Sequence, residues 1–309
     1  MTTAETGGEP GNPRLRRAAA LASVAVALTL SAAKLFAWLA TGSVTILSSL
    51  LDSLVDLAAS TLTLLAVTHA QRPPDRSHRY GHGKAEPLGA LAQAAFILGS
   101  AAFLSFEAIA RLAEPAPIAA TGIGIAVMVG AIVLTLALVG FQLYVVRTTG
   151  SLAIDADSLH YRGDLAIAVG VILTLLVAER YPWVDPVVAM AIAAYLLHSA
   201  WKIGRSSLDV LMDRELPQGD RARIKAIVLA DDRVRGLHDL RTRSSGTQAF
   251  IELHLELDGA LSLAVAHRIA DDVEDALKAA FPGAEVAVHQ EPAGLEDERL
   301  DDRIAEGRG

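Results

Sequence analysis

Six stretches of mostly apolar residues, each roughly 20 to 30 long, occupy the first two thirds of this chain, a pattern that a bundle of membrane-spanning helices would bury. Inside hydrocarbon every backbone N–H and C=O must be satisfied within its own segment, so each stretch is expected to be a helix. The pattern predicts spans over Arg16 to Ala40, Val44 to Thr68, Pro87 to Leu112, Pro117 to Val146, Asp157 to Ala178 and Val184 to Ile203. Of the 309 residues, 52% are hydrophobic, and that excess lies in the spans; the last third has the charge density of a soluble domain. The chain has no cysteine, so disulfides are excluded and any metal site must use His, Asp and Glu. A net charge of -8 with no basic, aromatic-interleaved stripe gives no reason to expect a nucleic acid partner.

Two aspartates break the second apolar stretch, in LLDSLVDLAAS. Asp52 and Asp56 are four apart and share one face of a helix. One charged side chain at mid-bilayer costs roughly 2.5 to 3.5 kcal/mol on the insertion scale, so two demand a partner. The fifth stretch repeats the spacing in LHYRGD, with His160 and Asp164. Three carboxylates and an imidazole on two facing helices form a four-ligand cage for a divalent cation. Zinc, iron(II), manganese and cadmium all suit that donor set. Empty, such a cage takes up protons, so metal and proton compete for the same atoms.

Basic residues orient the spans. Arg14, Arg16 and Arg17 precede the first; Arg72, Arg76, Arg79 and Lys84 fill the second connection; Arg147 and Arg162 flank the fourth; Lys202 and Arg205 end the sixth. The opposite connections, TGS, EPAP and ERYPWVD, hold one Arg, which puts both termini in the cytoplasm of a multi-pass inner membrane protein. Residues 1–13, small and polar, read as a disordered N-terminus and not as a cleaved signal, because the following apolar run is too long.

The cytoplasmic connection PDRSHRYGHGKAE contains Asp75, His78 and His82. Gly81 and Gly83 argue for turns there, and the three side chains suit a metal site or merely a solvated loop. Past Asp213 the pattern changes to a helix over Gln218 to Ala230, strands over Leu237 to Arg243 and Ala249 to Leu257, a helix over Ser262 to Phe281 and a strand over Ala284 to His289. In IELHLEL the apolar residues face one way and Glu252, His254 and Glu256 the other. The fold class is therefore an α-helical membrane domain (residues 14–208) followed by a cytoplasmic α+β domain (209–292) with a ferredoxin-like αββαβ order, and a charged flexible tail (293–309). His238, His254, His267, His289 and Glu291 are spread over the second domain, as metal ligands if the strand ends converge and as surface residues otherwise. His69, Glu107 and His198 read as interfacial or bundle-facing, and Asp155 and Asp157 as caps of the fifth helix.

The motifs SLLDSLVDLAAS, HRYGHGKAEPLGALAQ, DSLHYRGD, LHDLRTRSSG and VHQEP closely resemble those of the cation diffusion facilitators, over about Arg14 to Pro292. The resemblance implies a transport site at Asp52, Asp56, His160 and Asp164, a loop metal site at Asp75, His78 and His82, and a cytoplasmic metal site at His238, His254, His267, His289 and Glu291, where the family carries Asp in place of the Glu. It also implies a homodimer with a salt bridge between Lys84 and Asp213. The expected function is export of Zn(II), with Fe(II) and Cd(II) as further candidates, against entering protons. Metal is then substrate and regulator; the partners are a second copy, protons and membrane lipid, with no cofactor besides. A membrane-anchored metal sensor or scaffold without transport is the rival, while an intramembrane metalloprotease lacks HExxH, so no enzyme activity is expected.

Overall fold

The computed structural model of the protein describes residues 12–42, 44–113, 122–177, 181, 183–246, 248–294 and 299–305. These form two compact units, one from Asn12 to Leu208 and one from Asp209 onward. In the first lie α1 (Pro13–Thr41), α2 (Val44–Ala70), α3 (Ala85–Ala113), α4 (Gly122–Thr149), α5 (Leu152–Val177) and α6 (Val184–Leu211), the last running past the unit boundary. The expected disorder of residues 1–13 falls mostly outside the described residues; Pro13 already belongs to α1, with the Asn12 side chain accepting from the Arg14 N–H. α1 stops at Gly42, whose φ of 63° is open to glycine at no steric cost and returns its N–H to the Trp38 carbonyl.

Phe36, Phe103, Phe106 and Trp201 are between 67% and 76% exposed, an outward apolar surface that fits contact with lipid and not with water. Five of the helices, α1, α2, α3, α4 and α6, are long and apolar enough to cross a membrane. Over the described residues α5 is not among them; its first half carries Asp155, Asp157, Arg162 and Asp164. Inside the bundle small residues allow close approach: a Cβ on Gly89 of α3 would collide with Ala66 of α2, and one on Gly163 of α5 would sit 2.8 Å from Leu196 of α6. At one end, Arg16 of α1 and Glu86 of α3 form an ion pair at 2.8 Å, both side chains at most 8% exposed, and Ser151 before α5 donates to the same carboxylate.

The second unit follows the order α7 (Gln218–Val228), β1 (Gly236–Ser244), β2 (Ala249–Leu257), α8 (Leu263–Ala280), β3 (Glu285–Pro292) and α9 (Leu300–Ala305). β2 lies in the middle of the sheet, antiparallel to β1 and parallel to β3. Ile251, Leu253, Leu255 and Leu257 line one face of β2 and pack with Ile224 and Val228 of α7 and with Ile269, Val273 and Leu277 of α8. Strand alternation therefore turns Glu252, His254 and Glu256 to the face that carries no helix core.

Of the expected flexible tail, the described residues 299–305 include α9. α9 holds to the irregular part of β1, where the ladder slips between His238 and Arg241 and Asp239 takes a φ of 49°. The N–H groups of Leu300 and Asp301 donate to the Asp239 carboxylate at 3.0 and 2.9 Å, and the Asp239 N–H donates to Asp301 at 3.1 Å. Burial pushes the Asp239 carboxyl up, but the two donated hydrogen bonds and the nearby His238 and His254 outweigh it and hold it below the usual carboxylate range.

Candidate metal centres

α2 and α5 bring the first predicted set together. One oxygen each of Asp56 and Asp164 and a ring nitrogen of His160 all lie within 4.8 Å of one another. His160 Nε2 is 2.9 Å from Asp56 Oδ1 and 3.8 Å from Asp164 Oδ2. The fourth residue, Asp52, stands one turn from Asp56 and outside that tight group. All four line one cavity of about 1000 Å³, walled for the most part by apolar residues such as Leu30, Phe96, Ile97 and Leu196. Three carboxylates and one imidazole in such walls attract a dication and offer it mixed oxygen and nitrogen donors.

Two groups beside this cavity escaped sequence reasoning. Lys34 of α1 lines it, with its ammonium on the Ser53 hydroxyl at 2.6 Å and the Ser49 carbonyl at 3.1 Å. A lone Lys inside the first apolar run was the available signal. Asp157 does not cap α5: Ser151 does, its hydroxyl accepting from the Ile154 N–H, while Asp155 pairs with Arg162 at 3.2 Å. Asp157 is fully buried in the bundle, accepting from Ser23 of α1 at 2.6 Å and Gln142 of α4 at 2.7 Å. Ser60 of α2 and Tyr161 of α5 extend this network at 2.8 Å, so it ties four helices just beside His160.

The loop set also converges. Asp75, His78 and His82 offer ligand atoms within 4.8 Å of one another, the His78 and His82 rings lying 4.5 Å apart. As the glycines predict, the segment is turns: Gly81 has a φ of 76° and donates to the His78 carbonyl. Asp75 accepts from the backbone N–H groups of His78 and Ser77 at 2.7 and 2.8 Å, which aim its carboxylate and hold its pKa below the usual range.

In the second unit the sheet register itself aligns the histidines. His238 pairs with His254 across β1 and β2, and His254 with His289 across β2 and β3, so three imidazoles sit on one rung. Neighbouring rings are 5.1 and 4.7 Å apart. Two residues on, Glu256 pairs with Glu291. The Glu291 carboxylate reaches His238 Nε2 at 2.8 Å and His254 Nδ1 at 3.4 Å, so its length lets it span two imidazoles; His238 Nδ1 meets Glu256 at 3.0 Å. His238, His254 and Glu291 form the tight group. Glu256 was readable as sharing the His254 face but not as its neighbour's partner.

His267 does not join them in one chain. It lies on α8, which packs on the opposite face of the sheet, and its side chain is 66% exposed and 3.6 Å from Asp271. Lys84 precedes α3 in the first unit, and Asp213 follows α6 in the second, 3.6 Å from Arg243. His198 is exposed on α6.

Residues 20–212 match the family model described as the cation efflux transmembrane domain, and residues 216–293 the one described as the cation efflux protein cytoplasmic domain. The chain is 50% identical over 279 residues to the cation-efflux pump FieF of Shewanella oneidensis, covering 90% of this chain and 94% of that protein. To the cation-efflux pump FieF of Klebsiella pneumoniae it is 48% identical over 284 residues, covering 91% and 94%. A solved structure of the zinc form of CzrB, a candidate zinc transporter, is similar to 28% of this chain and 99% of its own, at 38% identity and a TM-score of 0.26. With family models and relatives matching along most of its length, the chain belongs to the cation diffusion facilitators, a family of multi-pass cation efflux transporters.

Proposed function

We propose that the protein exports Zn(II), with Fe(II) and Cd(II) as further substrates, from the cytoplasm across the inner membrane in exchange for protons. The observation that carries this reading is the approach of Asp56, His160 and Asp164 to within 4.8 Å at the wall of an apolar-lined cavity, with Asp52 on the same wall. The relatives that match most of the chain are named as cation-efflux pumps. In this reading α5 is the sixth span, its charges facing the bundle and not lipid, and both termini are cytoplasmic. An imidazole among carboxylates favours borderline metals over Mg(II) or Ca(II), which prefer oxygen alone.

Each metal ion that enters the cage displaces protons from its ligands, and each proton that enters weakens the metal. Coupling needs only that the metal-filled and proton-filled cages favour opposite openings of the bundle. Asp75, His78 and His82 form a second metal site and His238, His254, His289 and Glu291 a third, which regulates a homodimer in which Lys84 and Asp213 pair at the membrane surface. His267, on the far side of its own sheet, serves such a site only from a second copy.

Proteoliposomes loaded with a zinc-sensing dye test the transport step. Wild-type protein is expected to carry zinc with a pH gradient as driving force, and Asp56→Ala and Asp164→Ala to lose that flux. Unchanged flux in both variants ends the reading. Calorimetry in buffers of different ionisation enthalpy should register proton release on zinc binding, and a count of zero removes the antiport step.

A further inference from the structure

The three loop ligands, Asp75, His78 and His82, leave tetrahedral zinc one position short. His69, in the last turn of α2, stands against the same segment, outside the tight group of three: its ring lies edge-on to the His82 ring, centroids 4.8 Å apart at 86°. Two imidazoles on one tetrahedral zinc, with Zn–N near 2.0–2.1 Å, have centroids about 5 Å apart. The His69–His82 and His78–His82 spacings of 4.8 and 4.5 Å both match that value. His82 is the centre of this row: its side chain is 7% exposed, Nε2 lies 3.4 Å from Asp75, and the buried Nδ1 has no hydrogen-bond partner. One ion can meet only one nitrogen of the His82 ring, and Nε2 is the one beside the Asp75 carboxylate.

We infer that His69 is the fourth ligand of the loop site, which closes it into a four-coordinate zinc-holding centre of the Asp–His–His–His type. The inference rests on the reading of Asp75, His78 and His82 as a metal site. A closed site has no open position for water or a departing ion, so it holds zinc where the membrane cage passes it on. It also clamps the end of α2, the helix that carries Asp52 and Asp56, to the connection that leads into α3.

The test uses the full chain in detergent with Asp56→Ala, Asp164→Ala and His254→Ala in place, so that the loop is the remaining centre. This background should bind one Co(II) or Zn(II) ion, with the intense visible band of tetrahedral cobalt. Adding His69→Ala should weaken binding at least about tenfold and weaken the cobalt band as water fills the fourth position. His69→Asp, which restores a ligand, should recover most of both. Equal affinity and an unchanged band in His69→Ala, with the ion lost in His82→Ala, would overturn the role of His69 alone. Retention of the ion in His82→Ala would overturn the loop site and the inference with it. Recovery by Asp separates ligation from packing, because Asp cannot replace the ring contact.

Discussion

The cage in the membrane unit and the cluster on the sheet hold the same number of ligand atoms at the same tightness, three within 4.8 Å, yet they are built on opposite mechanical principles. In the sheet, hydrogen-bonded strands a fixed 4.7–4.9 Å apart set the spacing of the His238, His254 and His289 backbones, which cannot leave the row without breaking the ladder. In the membrane, Asp56 and His160 meet only because α2 and α5 lie side by side, and helices slide past one another at little cost. The donors differ too: mostly imidazole on the sheet, mostly carboxylate in the cage. An imidazole-rich, rigid site suits retention of zinc, and a charged, deformable one suits capture and release.

The largest expected effect breaks the comparison on the membrane side. Asp56→Ala or Asp164→Ala should cut zinc flux by about a hundredfold or more while zinc binding by the sheet cluster stays as in the wild type. Loss of cluster binding in these variants would mean that the two sites are not separable.

Next comes the buried ion pair at one end of the bundle. Breaking the buried Arg16–Glu86 pair with Glu86→Ala should destabilise the membrane unit by about 3–5 kcal/mol, because a bare guanidinium stays buried, whereas Arg16→Met with Glu86→Leu should cost far less. Thermal unfolding in detergent reads this, and a second unit that melts unchanged shows that the cost is local.

A smaller effect sharpens the cluster side. Glu291→Ala should weaken zinc binding there by roughly tenfold, and Glu291→Asp should fall between, since a shorter arm reaches one imidazole better than two. Titration against a chelating dye measures it, and identical affinity in all three proteins would remove Glu291 from the site.

The smallest concerns pH. The Asp239 carboxyl is held below its ordinary value in the folded chain, so its contribution to docking α9 is complete above that value, about 3.9 in the unfolded chain, and fades as pH falls through the lower folded one. Amide exchange at Leu300 and Asp301, corrected for its intrinsic pH dependence, should be unchanged from pH 7 to 5 and faster, relative to that correction, below about 4. Asp239→Asn should remove the dependence, and a protein whose exchange shows no such step contradicts this docking contact.

Periodicity made most of the fold legible. The apolar runs correspond to helices of 26 to 29 residues, and the alternation in IELHLEL assigned His254 and Glu256 to one face before any partner strand was known. The four-residue spacing in LLDSLVDLAAS and LHYRGD likewise paired side chains along each helix, which is a local property. Asp157, in contrast, looks like a capping residue by every local criterion, and only the packing of α1, α2 and α4 around it turns it into a buried carboxylate. His267 and His69 invert each other: the first shares the residue type of the cluster yet faces away on α8, and the second, at the end of an apolar helix, lies against His82.

By itself the amino-acid order determined which segments are helix or strand, which residues share a face, and that an acid-and-imidazole set must find company inside apolar surroundings, since these follow from backbone geometry and the cost of desolvation over a few turns. Tertiary structure alone decided which faces meet: that Glu86 neutralises Arg16, that Glu291 spans two imidazoles, that the tail fastens to Asp239. Those pairings join residues about 35 to 70 positions apart and depend on how helices and strands stack, a long-range outcome that no local spacing encodes.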